Sequence, residues 1–331
     1  MEAKKQFSKI GFLLILATIV INGIQLLANA IFKDIPAIAN SKDLYVLALM
    51  LPVYAFGYPL ILFLFKKVPL QTSGEPKKMT FGSLLTAFFM TYALTYVCNF
   101  IGTFISTIIA EIKGSPVENV LANLLNEINP FTALIVAVIL APIFEELLFR
   151  KAIIDRTAKY GEGISIVFSG FMFGLFHGNF NQFAYAMFLG MFFGYIYIKT
   201  KNILYPIILH FITNFMGSII PMLVMNNTRY LEYAEKSEEL MASADYTDAA
   251  GTALALEYAS DITIVFTYIF LLFAMVIVGV ILFIVKRKKF VLEATETPIE
   301  KGERFKTVCL NPGVIAFVVF WIAMIVWQLV G

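Results

Sequence analysis

Uninterrupted apolar runs dominate this chain, and each is closed by a short polar or charged stretch. Nine of them, at about 10–32, 44–65, 80–110, 131–155, 163–182, 183–199, 202–225, 262–285 and 312–330, are long enough to be read as membrane helices. A helix that crosses the hydrocarbon core of a bilayer, ~30 Å thick, needs about 17–25 such residues. The pattern therefore predicts an all-α fold, a polytopic transmembrane helical bundle of about nine helices. The third run is long enough to tilt or to begin at the interface. Only Gly178-Asn179-Phe180-Asn181 separates the fifth from the sixth, which predicts a tight helical hairpin. Residues 115–129, PVENVLANLLNEINP, alternate as a short amphipathic helix lying in the outer interface would.

Composition agrees with the pattern: 60% of the 331 residues are hydrophobic and 15% are charged. Soluble domains carry about 25% charged residues, so bilayer lipid is the first expected partner, and nucleic acid is not expected. The charges also give the chain a direction. With the N-terminus inside, the inside segments 1–9, 66–79, 150–161, 199–201 and 286–306 hold 20 of the 25 Lys and Arg residues, and the outside segments hold 5. The positive-inside rule then predicts an N-in, C-out topology. The cluster at Lys286–Lys289 is expected to anchor the chain at anionic lipid. Residues 226–261 carry eight acids against Arg229 and Lys236, and read as a solvated acidic extracytoplasmic loop. Cys98 and Cys309 lie far apart in sequence and supply neither a disulfide framework nor a metal knuckle. Lys4, Lys5 and Lys9 precede the first apolar run, which is longer than the ~7–15 residues of a signal-peptide core, so it reads as a retained signal anchor.

Ionisable side chains inside membrane helices are costly and mark functional positions. They concentrate in three central helices: APIFEELLFRK contains Glu145, Glu146 and Arg150; FGLFHGN contains Phe173 and His177; HFITN contains His210 and Asn214. The two histidines are the only ones in the chain. Glu146 and Arg150 stand one turn apart and can pair, whereas Glu145 points about 100° away from Glu146. His210 and Asn214 share a helix face. Pro142 lacks an N–H and should distort the backbone just before Glu145. Gly170, Gly174 and Gly178 beside His177, and Gly190 with Gly194 in the sixth helix, predict close helix packing around this polar centre.

The ordered motifs EExxxR (Glu145, Glu146, Arg150), FxxxH (Phe173, His177) and HxxxN (His210, Asn214) resemble the CPBP family of intramembrane proteases, which includes CAAX prenyl endopeptidases and bacteriocin-processing or immunity-associated, Abi-like proteins. The resemblance covers roughly residues 130–225. It divides the chain into N-terminal helices with an interfacial helix (1–129), a CPBP-like catalytic core (130–225), the acidic loop (226–261) and C-terminal helices (262–331). It implies a peptide or membrane-anchored protein as substrate, with water held and activated by Glu145 and His177. It further implies an oxyanion met by His210 and Asn214, and Glu146, supported by Arg150, orienting the site or sharing the base role. A divalent metal such as zinc on Glu145, His177 and His210 and a metal-free glutamate mechanism both stay open, since HExxH is missing.

Two other classes fit the same buried polar groups: a proton- or ion-coupled transporter, and a non-proteolytic scaffold or bacteriocin-immunity protein that binds a partner. No inverted repeat of the kind transporters use is visible in the sequence. The compact chain, rich in Ile, Lys and Phe, is expected in a bacterial plasma membrane.

Overall fold

A computed structural model describes residues 2–70, 75–243 and 246–330. The chain is all-α, with no strand among the described residues. Among the described residues, eight helices are long and apolar enough to cross a membrane: α1 (Glu2–Phe32), α2 (Lys42–Phe65), α3 (Phe81–Lys113), α5 (Pro130–Tyr160), α7 (Phe180–Thr200), α8 (Leu204–Asn226), α11 (Ala259–Lys286) and α12 (Pro312–Leu329). A ninth apolar helix, α6 (Glu162–Phe176), has 15 residues. Three further helices of eight or more residues lie among the described residues, α4 (Val120–Glu127), α9 (Tyr230–Ala242) and α10 (Asp248–Glu257), beside the short turns Pro36–Ala39 and Arg304–Val308. Among the described residues, eight of the nine predicted spans are therefore long enough to cross; the fifth is shorter than predicted and ends at Phe176 rather than near residue 182.

That early end has a local cause. Gly178 adopts φ +65°, and a Cβ there would meet the Trp321 ring at 2.5 Å, so the chain turns against the middle of α12. At 1.5 Å per residue α6 is about 22 Å long, and its turn lies within the depth spanned by its neighbours. Irregular backbone is tolerated there only where its polar groups are satisfied inside the protein. They are: the Gly178 N–H donates to Leu175 (3.0 Å), Asn179 Nδ2 donates to the His177 carbonyl (3.1 Å), and the Phe180 N–H donates to Gln328 Oε1 (3.3 Å). Asn179 then caps α7 by accepting from the Gln182 N–H at 2.9 Å.

The core forms where α5, α6 and α7 meet. Leu148, Phe149 and Ile153 of α5 are fully enclosed against Met172 and Phe173 of α6. The α6–α7 hairpin closes on glycine: a Cβ on Gly170 would stand 2.7 Å from the Met187 carbonyl, and one on Gly190 2.9 Å from the Gly170 Cα. Outside this core the apolar side chains face outward. Phe266, Phe270, Phe273, Ile277 and Ile281 of α11 are more than half exposed, as are Phe100 and Phe104 of α3. A surface of this kind is stable only with lipid as its solvent, and the protein is an integral membrane protein.

The five basic segments touch one another at one end of the bundle. Gln6 Nε2 donates to the carbonyls of Pro69 and Arg156, the Lys77 N–H donates to Thr200, and the Ile299 N–H donates to Tyr160. At the opposite end Lys42 pairs with Glu127 (2.6 Å) and Gln328 Nε2 donates to the Glu118 carbonyl (2.8 Å). Arg150 is an exception to the inside-loop assignment, being fully buried within α5. The acidic stretch read as a loop is largely a pair of helices, α9 and α10, with residues 244–245 outside the described ones. Tyr258 organises it, donating to Glu232 Oε1 and accepting from Lys236 Nζ, both at 2.8 Å.

Candidate active site

Among the described residues four segments are π-helical. Glu146–Ile154 in α5 carries Glu146 and Arg150 and has no proline after it, whereas the other three line a single cavity and are each followed by a proline. Val53–Gly57 in α2 precedes Pro59, Leu134–Leu140 in α5 precedes Pro142, and Phe215–Ile219 in α8 precedes Pro221. Proline removes an N–H and crowds the carbonyl four residues back, so a widened turn relieves the clash. In α5 the consequence can be followed atom by atom. The Ala141 N–H donates to the Val136 carbonyl, five residues back, and Pro142 has no N–H to offer Ala137. The Ala137 carbonyl is instead satisfied by Asn214 Nδ2, at 2.8 Å, from α8. A predicted site residue is thus recruited to complete the backbone of the helix that carries Glu145.

The cavity measures about 430 Å³, and Glu145, His177, His210 and Asn214 all line it. Glu146 and Arg150 lie behind them with fully buried side chains. One Glu146 oxygen stands 3.0 Å from Arg150 Nε, and the other accepts from His210 Nδ1 at 2.8 Å. The Arg150 contact is close but poorly aligned, and its terminal nitrogens have no hydrogen-bond partner among the described residues. The guanidinium lies over the Phe173 ring (4.2 Å) and near Phe193 (5.7 Å). Charge and aromatic faces therefore hold this group, and Phe193 joins the three motifs as an unforeseen member.

Both imidazoles are oriented through Nδ1. His210 Nδ1–H donates to Glu146, and His177 Nδ1–H donates to the Phe173 carbonyl at 2.8 Å. The Phe173 ring meets both edge to face, with centroids at 4.8 Å from His177 and 5.9 Å from His210. Phe173 is the shared wall of both histidines and of Arg150. Because each Nδ1 carries the proton, each neutral ring leaves Nε2 as a lone pair. His210 Nε2 stands 3.8 Å from Glu145 Oε2, longer than a hydrogen bond and close enough for a water beside the pair to touch both.

Glu145, His177 and His210 were also the candidate metal ligands. Among the described residues, no three His, Cys, Asp or Glu side chains stand together so as to hold a metal ion. As placed, this donor set does not fit a three-ligand zinc site.

Sequence reasoning missed the polar wall that α3 contributes. Tyr92, Thr95, Tyr96 and Asn99 line the same cavity, spaced as one face of a helix. Their periodicity inside an apolar run was the available signal. Tyr54 of α2 adds a hydroxyl that donates to the Val136 carbonyl at 3.3 Å.

Residues 127–216 match the family model of Rce1-like type II CAAX prenyl endopeptidases. The chain is 30% identical over 112 residues to a candidate membrane peptidase of Bacillus subtilis (strain 168), YdiL; the match spans 33% of this chain and 44% of that protein. No solved structure matches the chain. The matched stretch, residues 127–216, holds every motif residue from Glu145 to Asn214, and both similarities support a CPBP/CAAX protease family.

Proposed function

We propose that the protein is an intramembrane endopeptidase that hydrolyses a peptide bond in a membrane-associated protein or peptide. The observation that carries this reading is the convergence of Glu145, His177 and His210 on one cavity, with both Nδ1 atoms already committed elsewhere.

Water donates one hydrogen to His177 Nε2 and loses the other to Glu145 as its oxygen attacks the peptide carbonyl. The carbonyl oxygen becomes an oxyanion. Asn214, with one amide hydrogen on Ala137, has a second to offer it. His210 can donate from Nε2 only as the imidazolium, since Nδ1–H is held by Glu146. Its ring stands between two carboxylates, Glu146 at 2.8 Å and Glu145 at 3.8 Å. The proton held by Glu145 then passes to the leaving amine as the carbon–nitrogen bond breaks, and the carboxylate is restored. In this reading Glu146 is a positioning residue rather than a second base, because both of its oxygens are already engaged. The steps use this chain's own side chains, and none is routed through a metal.

The test compares wild type with Glu145→Gln and Glu145→Ala on a quenched peptide library in detergent. General-base catalysis contributes about 10²–10⁴-fold, so both variants should lose at least about 100-fold in rate while keeping the wild-type unfolding temperature. Equal activity of wild type and variants would remove Glu145 from the mechanism.

A further inference from the structure

Glu145 is the middle residue of α5, about 22 Å from either end at 1.5 Å per residue. Depth alone therefore does not say from which side of the membrane water and substrate arrive. Packing does. α5 and α7 run toward the basic end of the bundle, and the cavity lining stops at Glu145 in the one and at Phe193 in the other. α6 and α8 run away from that end, and the lining starts at Phe173 and at His210. Between these limits and the basic end the bundle is filled. Leu148, Phe149 and Ile153 are fully enclosed, and Ser169, equally buried, donates to the Phe149 carbonyl at 2.7 Å. Nearer the end, the buried side chains of Gln6 and Arg156 tie α1, α2 and α5 together through the carbonyls of Arg156 and Phe65. A peptide entering here would leave such buried groups unpaired, which is costly.

The other end is open. Asn99 of α3, Asn119 just before α4 and Gly217 of α8 line the cavity and are exposed, and a Cβ on Gly217 would meet nothing within 4 Å. They frame a mouth beside α4, whose Leu121, Leu124 and Leu125 stand half-buried over the cavity. The two amides on this rim can bond water or a passing peptide backbone. From this we infer that the cavity opens to the extracytoplasmic side, away from the basic end, and that the bond cut lies in a segment of protein or peptide presented there rather than in the cytoplasm. The side follows from the positive-inside rule; that a bond is cut there rests on the endopeptidase reading.

The experiment labels single cysteines in the full-length protein, in a background lacking Cys98 and Cys309, on intact cells and on opened ones. The probe is a small, charged, membrane-impermeant methanethiosulfonate. Asn99→Cys, at the mouth, decides, and Glu303→Cys, exposed at the basic end, gives the intact-cell background. Asn99→Cys should react on intact cells at least tenfold faster than Glu303→Cys, and opening the cells should change its rate less than twofold. Gly217→Cys, where the new side chain has room, should behave alike and carries the test if Asn99→Cys loses the wild-type unfolding temperature. Reaction of the mouth cysteine only in opened cells, or in neither state, overturns the inference. Cleavage of a quenched peptide library in detergent is blind to sidedness and separates the two ideas. Outside labelling without cleavage keeps the opening and sinks the protease, whereas cleavage with labelling only in opened cells does the reverse.

Discussion

Glu145 and Glu146 are neighbours in the chain with opposite surroundings, and that difference assigns their work. Glu145 faces the cavity, whereas Glu146 is walled off with Arg150 and His210. Breaking a buried ion pair by removing one partner costs about 3–5 kcal/mol, because the other charge stays buried without compensation. Arg150→Met should therefore destabilise the protein by about that amount, measured by unfolding in detergent. Adding Glu146→Gln to it should recover part of the loss, and a double variant no more stable than Arg150→Met alone would argue against the pair. The i,i+4 relation of Glu146 and Arg150 was legible in the sequence because helical geometry alone brings such residues together. The hydrogen bonds from His210 to Glu146 and from Asn214 to Ala137 cross 64 and 77 residues. They depend on how α8 packs on α5, which residue spacing within one helix does not encode.

Three helices around the cavity share one device, a π turn followed by proline, and only half of it was readable in advance. Pro142 announced a distortion near Glu145. That the distortion would be a widened turn, with its orphaned carbonyl met by Asn214, follows from packing. Pro142→Ala restores an N–H that can bond within α5, so the reason for the wide turn weakens. A proline inside a helix costs about 3 kcal/mol, and the variant should be at least as stable as wild type. It should also be at least tenfold less active, because narrowing the turn rotates Glu145 and releases Asn214. Unfolding temperature and cleavage rate, measured on one preparation, check both halves; unchanged activity would make the turn incidental to the site. The early end of α6 was hidden for a related reason. Apolar composition runs on through the turn, and Trp321 of α12, which receives Gly178, lies 143 positions further along the chain. The α3 stripe was different: its period was present, but Tyr and Thr in an apolar helix also serve ordinary packing.

For the molecule as a whole, the bilayer is the solvent that makes the exposed faces of α3 and α11 stable, and charge at the helix ends predicts an orientation. The segments expected inside hold 20 of the 25 basic residues. Arg150 leaves that group, since it is buried against Glu146 and cannot act as a loop charge. The remaining bias still points one way, because the basic segments gather at one end of the bundle through contacts such as Gln6 to Arg156 and Lys199 to Glu293 (3.2 Å). Arg156 reinforces that end by donating from Nε to the carbonyls of Phe65 (3.0 Å) and Val68 (2.9 Å). Basic flanking residues resist translocation, whereas Asp and Glu contribute little, so the α9–α10 pair owes its side to the cations elsewhere rather than to its own acids. The whole protein should therefore sit with the gathered basic end in the cytoplasm and α9–α10 outside. In a background lacking Cys98 and Cys309, Glu238→Cys on α9 should react with a membrane-impermeant maleimide on intact cells. Glu303→Cys, exposed at the basic end, should react only after the membrane is opened. The opposite pattern would invert the orientation while leaving the fold untouched. It would also move the amphipathic α4, whose Leu121, Leu124 and Leu125 line the cavity, to the cytoplasmic side.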